Sequence, residues 1–197
     1  MQINEGKFSQ NGRCGYVLKP SFMLKEDFNP LDTNSSTGEE PFVLLIRVIA
    51  ARHLTKSKRG IVSPYVEIEL INSHLDTVNI KQTTKTVSKL LIIDELFTYH
   101  LKNKTIVSAA DNGFNPVWDE PFEFYVPRPS LSFLRFAVYE VDMFSDANLI
   151  AQATYPVSCI RRGYRSVPLK NGFSEYLELA ALLIHMDIRN QQVGHSS

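Results

Sequence analysis

From Phe42 onward, short apolar stretches recur along the chain, and several alternate with polar residues at a period of two. Phe42, Leu44, Ile46 and Val48 can line one face of such a segment. Val66, Ile68 and Leu70 alternate with Glu67 and Glu69, and Phe122, Phe124 and Val126 alternate with Glu123 and Tyr125. Leu134, Phe136 and Val138 alternate with Arg135 and Ala137. Successive side chains of a strand point to opposite faces, so this pattern predicts half-buried strands. Further strands are expected near residues 80–86, 150–157, 164–169 and 177–188. The last of these also fits a helix, with Leu177, Ala181 and Ile184 on one face. We favour strand there because its neighbours need a pairing partner. Turn formers separate the segments: Gly60, Asn112-Gly113, Asn115-Pro116, Pro127, Pro129, Gly163 and Asn171-Gly172. About eight short strands at this spacing predict an all-β antiparallel sandwich or barrel.

The first forty residues follow a different pattern. Residues 1–20 read as a short strand-like piece, then Asn11-Gly12, then the apolar run Tyr16, Val17 and Leu18. They hold too few apolar residues for a core of their own and look like the end of something larger. Residues 21–41 are polar, with Pro30, Gly38, Pro41 and the run Asp32-Thr33-Asn34-Ser35, and read as a linker.

Composition narrows the function classes. In 197 residues, 44% are hydrophobic and 21% charged, an ordinary globular balance with apolar material for a sizeable core. The net charge is zero, so nothing draws the chain as a whole to nucleic acid or to acidic lipid; electrostatic binding must come from local patches. Cys14 and Cys159 are too few and too far apart for a disulfide framework or a CxxC metal site, and are expected to be buried thiols in a reducing compartment. Residues 1–7 lack the basic region and apolar run of a signal peptide. The densest apolar stretch, residues 90–101, contains Asp94, Glu95 and His100 and is too short to span a bilayer. A cytosolic protein whose membrane contact must be peripheral is the expectation.

Several motifs occur in a fixed order. Asn11-Gly12-Arg13-Cys14-Gly15-Tyr16-Val17-Leu18-Lys19-Pro20 closely resembles the segment that ends the catalytic barrel of eukaryotic phosphoinositide-specific phospholipases C. Phe28-Asn29-Pro30, Gly60-Ile61-Val62-Ser63-Pro64-Tyr65-Val66 and Asp111-Asn112-Gly113-Phe114-Asn115-Pro116-Val117-Trp118 follow in that family's order. Phe133-Leu134-Arg135-Phe136 and the run from Gly163-Tyr164-Arg165 to Lys170-Asn171-Gly172 complete it. Ala51-Arg52-His53-Leu54 and Asp142-Met143-Phe144-Ser145-Asp146 resemble the gamma type. The resemblance implies a tail of a TIM-like α/β barrel over residues 1–20, a linker over 21–41, an eight-stranded antiparallel C2-type β-sandwich over 42–189 and a tail over 190–197. It also implies that Met1 is not a natural start. The parent would hydrolyse phosphatidylinositol 4,5-bisphosphate to inositol trisphosphate and diacylglycerol in receptor signalling. Its catalytic residues and catalytic calcium lie upstream of the matched segment, so this chain alone is expected to be inactive. Implied partners are the parent's barrel, a phosphoinositide-containing membrane surface and, through the parent, receptor tyrosine kinase signalling proteins. The rival reading is a free-standing lipid- or protein-binding C2 module with no enzymatic parent.

The resemblance also places candidate ligands. Calcium binds six to eight oxygens, usually several carboxylates gathered on loops. Calcium-binding relatives place oxygens at positions matching Ser63, Asp111, Glu140, Asp142 and Asn148. Ser63 and Asn148, like Ser57 in the first loop, stand where strong binders carry Asp, so calcium binding is expected to be weak or absent. The alternative is an acidic surface turn. Lys56, Lys58 and Arg59 form a basic loop at the same predicted end and are candidates for membrane contact, against a merely solvated loop. Arg161, Arg162 and Arg165 form a second basic cluster, a docking site for an acidic partner or a solvated strand edge. The five histidines show no metal-ligand spacing, no HExxH, GxSxG or P-loop motif occurs, and Trp118 reads as a core anchor. Residues 87–104 form an insert, where the family runs as one strand from Thr86 to Thr105. Leu90, Leu91, Ile92 and Ile93 fit a lipid- or partner-binding loop. A retained short intron also fits, since Val87-Ser88 can be encoded by GTAAGT, a common splice donor.

Overall fold

A computed structural model of the chain describes residues 2–29, 38–54, 63–72, 80–86, 114–141 and 146–190. It contains a helix, α1 (Gln2–Ser9), and eight strands: β1 (Phe42–Arg52), β2 (Ser63–Ile71), β3 (Ile80–Thr83), β4 (Val117–Val126), β5 (Phe133–Val141), β6 (Ala147–Pro156), β7 (Gly163–Lys170) and β8 (Tyr176–Asn190). The order is β3-β2-β5-β6-β7-β8-β1-β4, and every neighbouring pair is antiparallel. β6 and β7 share one paired position, Gln152 with Lys170. The strands therefore form two four-stranded sheets hinged at a narrow seam.

The alternating residues do what their period demands. Leu44, Ile46 and Val48 of β1, Val66, Ile68 and Leu70 of β2, and Leu134, Phe136 and Val138 of β5 are buried in one cluster with Phe124, Leu169, Leu182 and Ile184. Each fully buried side chain of this size contributes about 1.5–3 kcal/mol. The segment that also fitted a helix is the long strand β8, which lies between β7 and β1 and pairs with both. Its alternative helical face would have left two strand edges unpaired. Trp118 packs on the core edge and donates its indole N–H to the Pro64 carbonyl at 3.3 Å.

The outward face of β2 and β5 carries a compact ionic network. Arg135 reaches Glu69 at 3.1 Å, Glu67 at 3.7 Å and the Gln152 amide oxygen at 3.0 Å. Lys81 of β3 adds contacts to Glu67 at 3.3 Å and Glu69 at 3.7 Å.

Three expectations are corrected. Residues 2–9 form helix α1, not a strand-like piece. An eight-residue helix is marginal alone; this one gains its stability by lying on β6 with Gly6 against it, a tertiary contact that no local period encodes. Cys14 and Cys159 are exposed, not buried, because each lies in an irregular connection: after α1, and in the 3-10 turn Val157–Cys159. Finally, β3 ends at Thr83, so the chain has left the strand before residue 87. Thr84 ends the ladder itself: its N–H donates to the Val66 carbonyl and its hydroxyl accepts the Val66 N–H, both at 2.9 Å. The side chain thus replaces the backbone acceptor that a continuing strand would use. Lys85 then turns to β4, its N–H donating to Glu120 at 2.9 Å. Residues 87–104 themselves lie outside the described residues.

Candidate functional site

Strict antiparallel alternation decides which connections share an end. The β1–β2, β3–β4, β5–β6 and β7–β8 connections emerge at one end, and the other three at the opposite end. The described candidate calcium residues, Glu140 and Asn148, lie at the first end. Glu140 and Asn148 face each other across β5 and β6, and Glu140 also pairs with Pro64 of β2. Glu140 is buried, at 7% exposure. The Asn148 side-chain amide reaches the Asp146 carbonyl at 3.5 Å. Asp111, Asp142, Lys56, Lys58 and Arg59, and the Ser63 side chain, lie outside the described residues. Two facing oxygen donors suit a hard cation in kind but not in number. Among the described residues no group of three or more His, Cys, Asp or Glu could hold a metal ion.

The motif residues beside this end have structural work. The Asn115 side-chain oxygen accepts the His53 N–H at 3.0 Å, the Leu54 N–H reaches the Phe114 carbonyl at 3.0 Å, and the His53 and Phe114 rings meet edge to face at 5.1 Å. His53 has a left-handed φ of 52°, so the Asn115 contact holds the turn that ends β1.

A second site was not anticipated: the face on which the N-terminal segment docks. Gly6 is buried, and a Cβ there would come within 3.2 Å of both Phe133 and Thr154. Glu5 forms an ion pair with Lys170, the residue of the single β6–β7 pair. The Lys170 ammonium also lies 4.5 Å from the Tyr176 ring centre. Arg13 donates to the Tyr176 hydroxyl at 2.7 Å, and Gln10 to the Ser158 hydroxyl at 3.3 Å. Phe22 is buried, with its ring 5.8 Å from that of Phe28. Three other apolar side chains of the segment face outward: Tyr16, Leu18 and Leu24 are 81%, 84% and 68% exposed. A glycine inside a short helix was the one available signal for this contact; nothing in the spacing pairs Glu5 with Lys170.

The fold is an antiparallel sandwich of two four-stranded sheets with its connections gathered at the two ends. The C2 domain family profile matches residues 42–104 and 94–170, and the chain belongs to that family. The two matched stretches overlap inside residues 87–104. Over 192 residues, or 96% of the chain, it is 40% identical to the human protein named 1-phosphatidylinositol 4,5-bisphosphate phosphodiesterase gamma-2. It is 35% identical over 201 residues to human inactive phospholipase C-like protein 2. The crystal structure of S. officinalis PLC21 superposes with a TM-score of 0.72 over 98% of the chain, at 30% identity. Its relatives are thus members of the phospholipase C family, and the chain spans only 13%, 16% and 22% of those three proteins. No described helix is long and apolar enough to cross a membrane.

Proposed function

We propose that this chain is the end of the catalytic barrel and the C2 domain of a gamma-type phosphoinositide phospholipase C. Residues 1–20 are the barrel's tail, 21–41 the linker, 42–189 the C2 domain and 190–197 a tail. The parent hydrolyses phosphatidylinositol 4,5-bisphosphate with calcium at its catalytic site, downstream of receptor tyrosine kinases. This part is inactive on its own: it holds the barrel and orients it at the plasma membrane. The observation that carries this reading is the one-sided docking of residues 2–29. They grip the sandwich through Glu5, Gly6, Gln10 and Arg13 while Tyr16, Leu18 and Leu24 face outward. Exposed apolar side chains in such a run call for a covering surface, and a barrel would supply it. Ala51-Arg52-His53-Leu54 supports the gamma type, as does the identity to the gamma-2 relative. Glu140 and Asn148 with Asp111 and Asp142 form at most a weak calcium site, and Lys56, Lys58 and Arg59 are the membrane contacts.

The test is biochemical. The purified chain is assayed on phosphatidylinositol 4,5-bisphosphate vesicles with calcium, alone and after fusion to an upstream barrel. The expected result is hydrolysis only by the fusion. Turnover by the chain alone, surviving repurification, would overturn the domain assignment. Calorimetry with calcium should give no heat or a dissociation constant of about 0.1 mM or weaker. Micromolar binding lost on Asp142→Ala would contradict the weak-site reading. Binding of the chain to vesicles without any productive fusion would favour the free-standing module.

A further inference from the structure

Below the single Gln152–Lys170 pair, β6 and β7 diverge. A cleft of about 380 Å³ opens there, within the ~300–1,000 Å³ range of small-molecule pockets. It lies on the side of the β6–β7 connection, at the opposite end of the sandwich from Glu140 and Asn148. The cleft is two-toned. Its buried floor is Phe136, Ile184 and Met186, with Tyr155 on one wall. Its exposed mouth carries Arg161, Arg165, Ser166 and Cys159.

The three arginines of this connection and the start of β7 are not equivalent. Arg162 is occupied, 3.4 Å from Asp187 and donating to the Ile188 carbonyl at 2.7 Å. Arg165 donates to the Arg162 and Tyr164 carbonyls at 2.6 and 3.2 Å, which leaves part of its fork of donors unused. Arg161 makes no hydrogen bond or ion pair among the described residues. Among the described residues no acidic side chain lines the cleft. An apolar floor under a cationic mouth selects a ligand with an apolar tail and an anionic head. Burial holds the Tyr155 phenol above its ordinary pKa, so the wall adds no negative charge near neutral pH.

We infer that the β6–β7 seam is a binding site for a single-chain anionic amphiphile, a carboxylate or phosphate head on an acyl or alkyl tail. The tail lies on Phe136, Ile184 and Met186, and the head meets Arg161 and Arg165. The site stands independently of whether the parent is a phospholipase.

Cys159 at the mouth is a built-in reporter, and exposed Cys14 is its internal control. The full 197-residue chain is alkylated with a maleimide, and labelling at each cysteine is followed by mass spectrometry. Laurate or dodecyl phosphate is added below its micelle concentration. The expected result is a saturable slowing at Cys159 with no change at Cys14. Arg161→Ala should move the midpoint to about tenfold higher amphiphile, the loss of one charge-assisted contact. Arg165→Ala, which removes the second cation of the mouth, should shift the midpoint in the same direction. Three outcomes would overturn the site: no protection, equal protection at both cysteines, or a midpoint indifferent to both substitutions. Equal protection by uncharged dodecyl maltoside would overturn the anionic head. Protection by phosphatidylserine vesicles without any by free amphiphile would assign the effect to a lipid surface and overturn the single-chain ligand.

Discussion

The sandwich and the segment that precedes it are held by different kinds of contact. The sandwich buries a continuous apolar cluster contributed by all but the shortest of its strands, and its period-two pattern serves that cluster. The N-terminal segment buries little: Gly6, Phe22, one ion pair and a few side-chain hydrogen bonds fix it, while Tyr16, Leu18 and Leu24 face outward. Burial scales with apolar area removed from water, so the sandwich should stand alone and the segment should not. A self-sufficient domain and a one-sided adapter call for opposite responses to mutation.

The sharpest way to break that comparison is to attack the core. Phe136→Ala removes a side chain that is 1% exposed and touches the centre of the cluster. It should cost about 3–5 kcal/mol, read as a large fall in the denaturation midpoint. Deleting residues 1–29 should cost far less and leave one cooperative transition. A truncated chain that loses near-ultraviolet dichroism would show that the adapter is part of the core.

Arg135→Ala comes next. It strands Glu69, which is 8% exposed, without its nearest cation. A buried acid left this way should cost about 2 kcal/mol. Arg47→Ala is the control: Arg47 and Asp119 meet at 2.6 Å but both are half exposed. Such exposed pairs contribute about 0–1 kcal/mol. Equal losses in urea titrations would mean that the outer-face network is no more than surface decoration.

Gly6→Leu tests the adapter directly. The new side chain would run into Phe133 and Thr154, so α1 should lift off while the sandwich, whose apolar cluster holds no residue of the segment, loses far less stability than with Phe136→Ala. Tryptic cleavage after Lys7 or Arg13 should accelerate. Unchanged cleavage would mean that the segment is held elsewhere.

Much of the sandwich was legible because burial and period reinforce each other. Val66, Ile68 and Leu70 announce an inward face whatever their neighbours do. The two oxygen donors Glu140 and Asn148 were placed by resemblance, and their strand register brings them face to face. The docking face was not legible. Glu5 and Lys170 are far apart in sequence, and their encounter depends on how the strands are ordered, which no local pattern states. Thr84 shows a subtler failure. A β-branched residue in an apparent strand was read as strand, yet its hydroxyl ends the ladder by taking the Val66 N–H.

The smallest effect concerns the seam between the two sheets. Tyr155 packs against the core beside the cleft, and its phenol is held above the ordinary value of about 10, first by burial and then by the nearby Tyr176. The sign follows from which state gives up the proton more readily. Below about pH 10 both folded and unfolded chains keep it, and Tyr155 adds no pH dependence. Above that point the unfolded chain ionises while the folded one resists, so unfolding gains and stability falls as pH rises through the folded value. Tyr155→Phe removes the ionisation. Its melting temperature should therefore decline less steeply across the alkaline range than that of the parent chain, with little difference near neutrality. Tyr176→Phe should have a weaker effect of the same sign, since Tyr176 raises Tyr155 only second to burial. Parallel alkaline slopes for Tyr155→Phe and the parent chain would show that the seam opens to water before the strands separate, so that Tyr155 is solvated in the folded state.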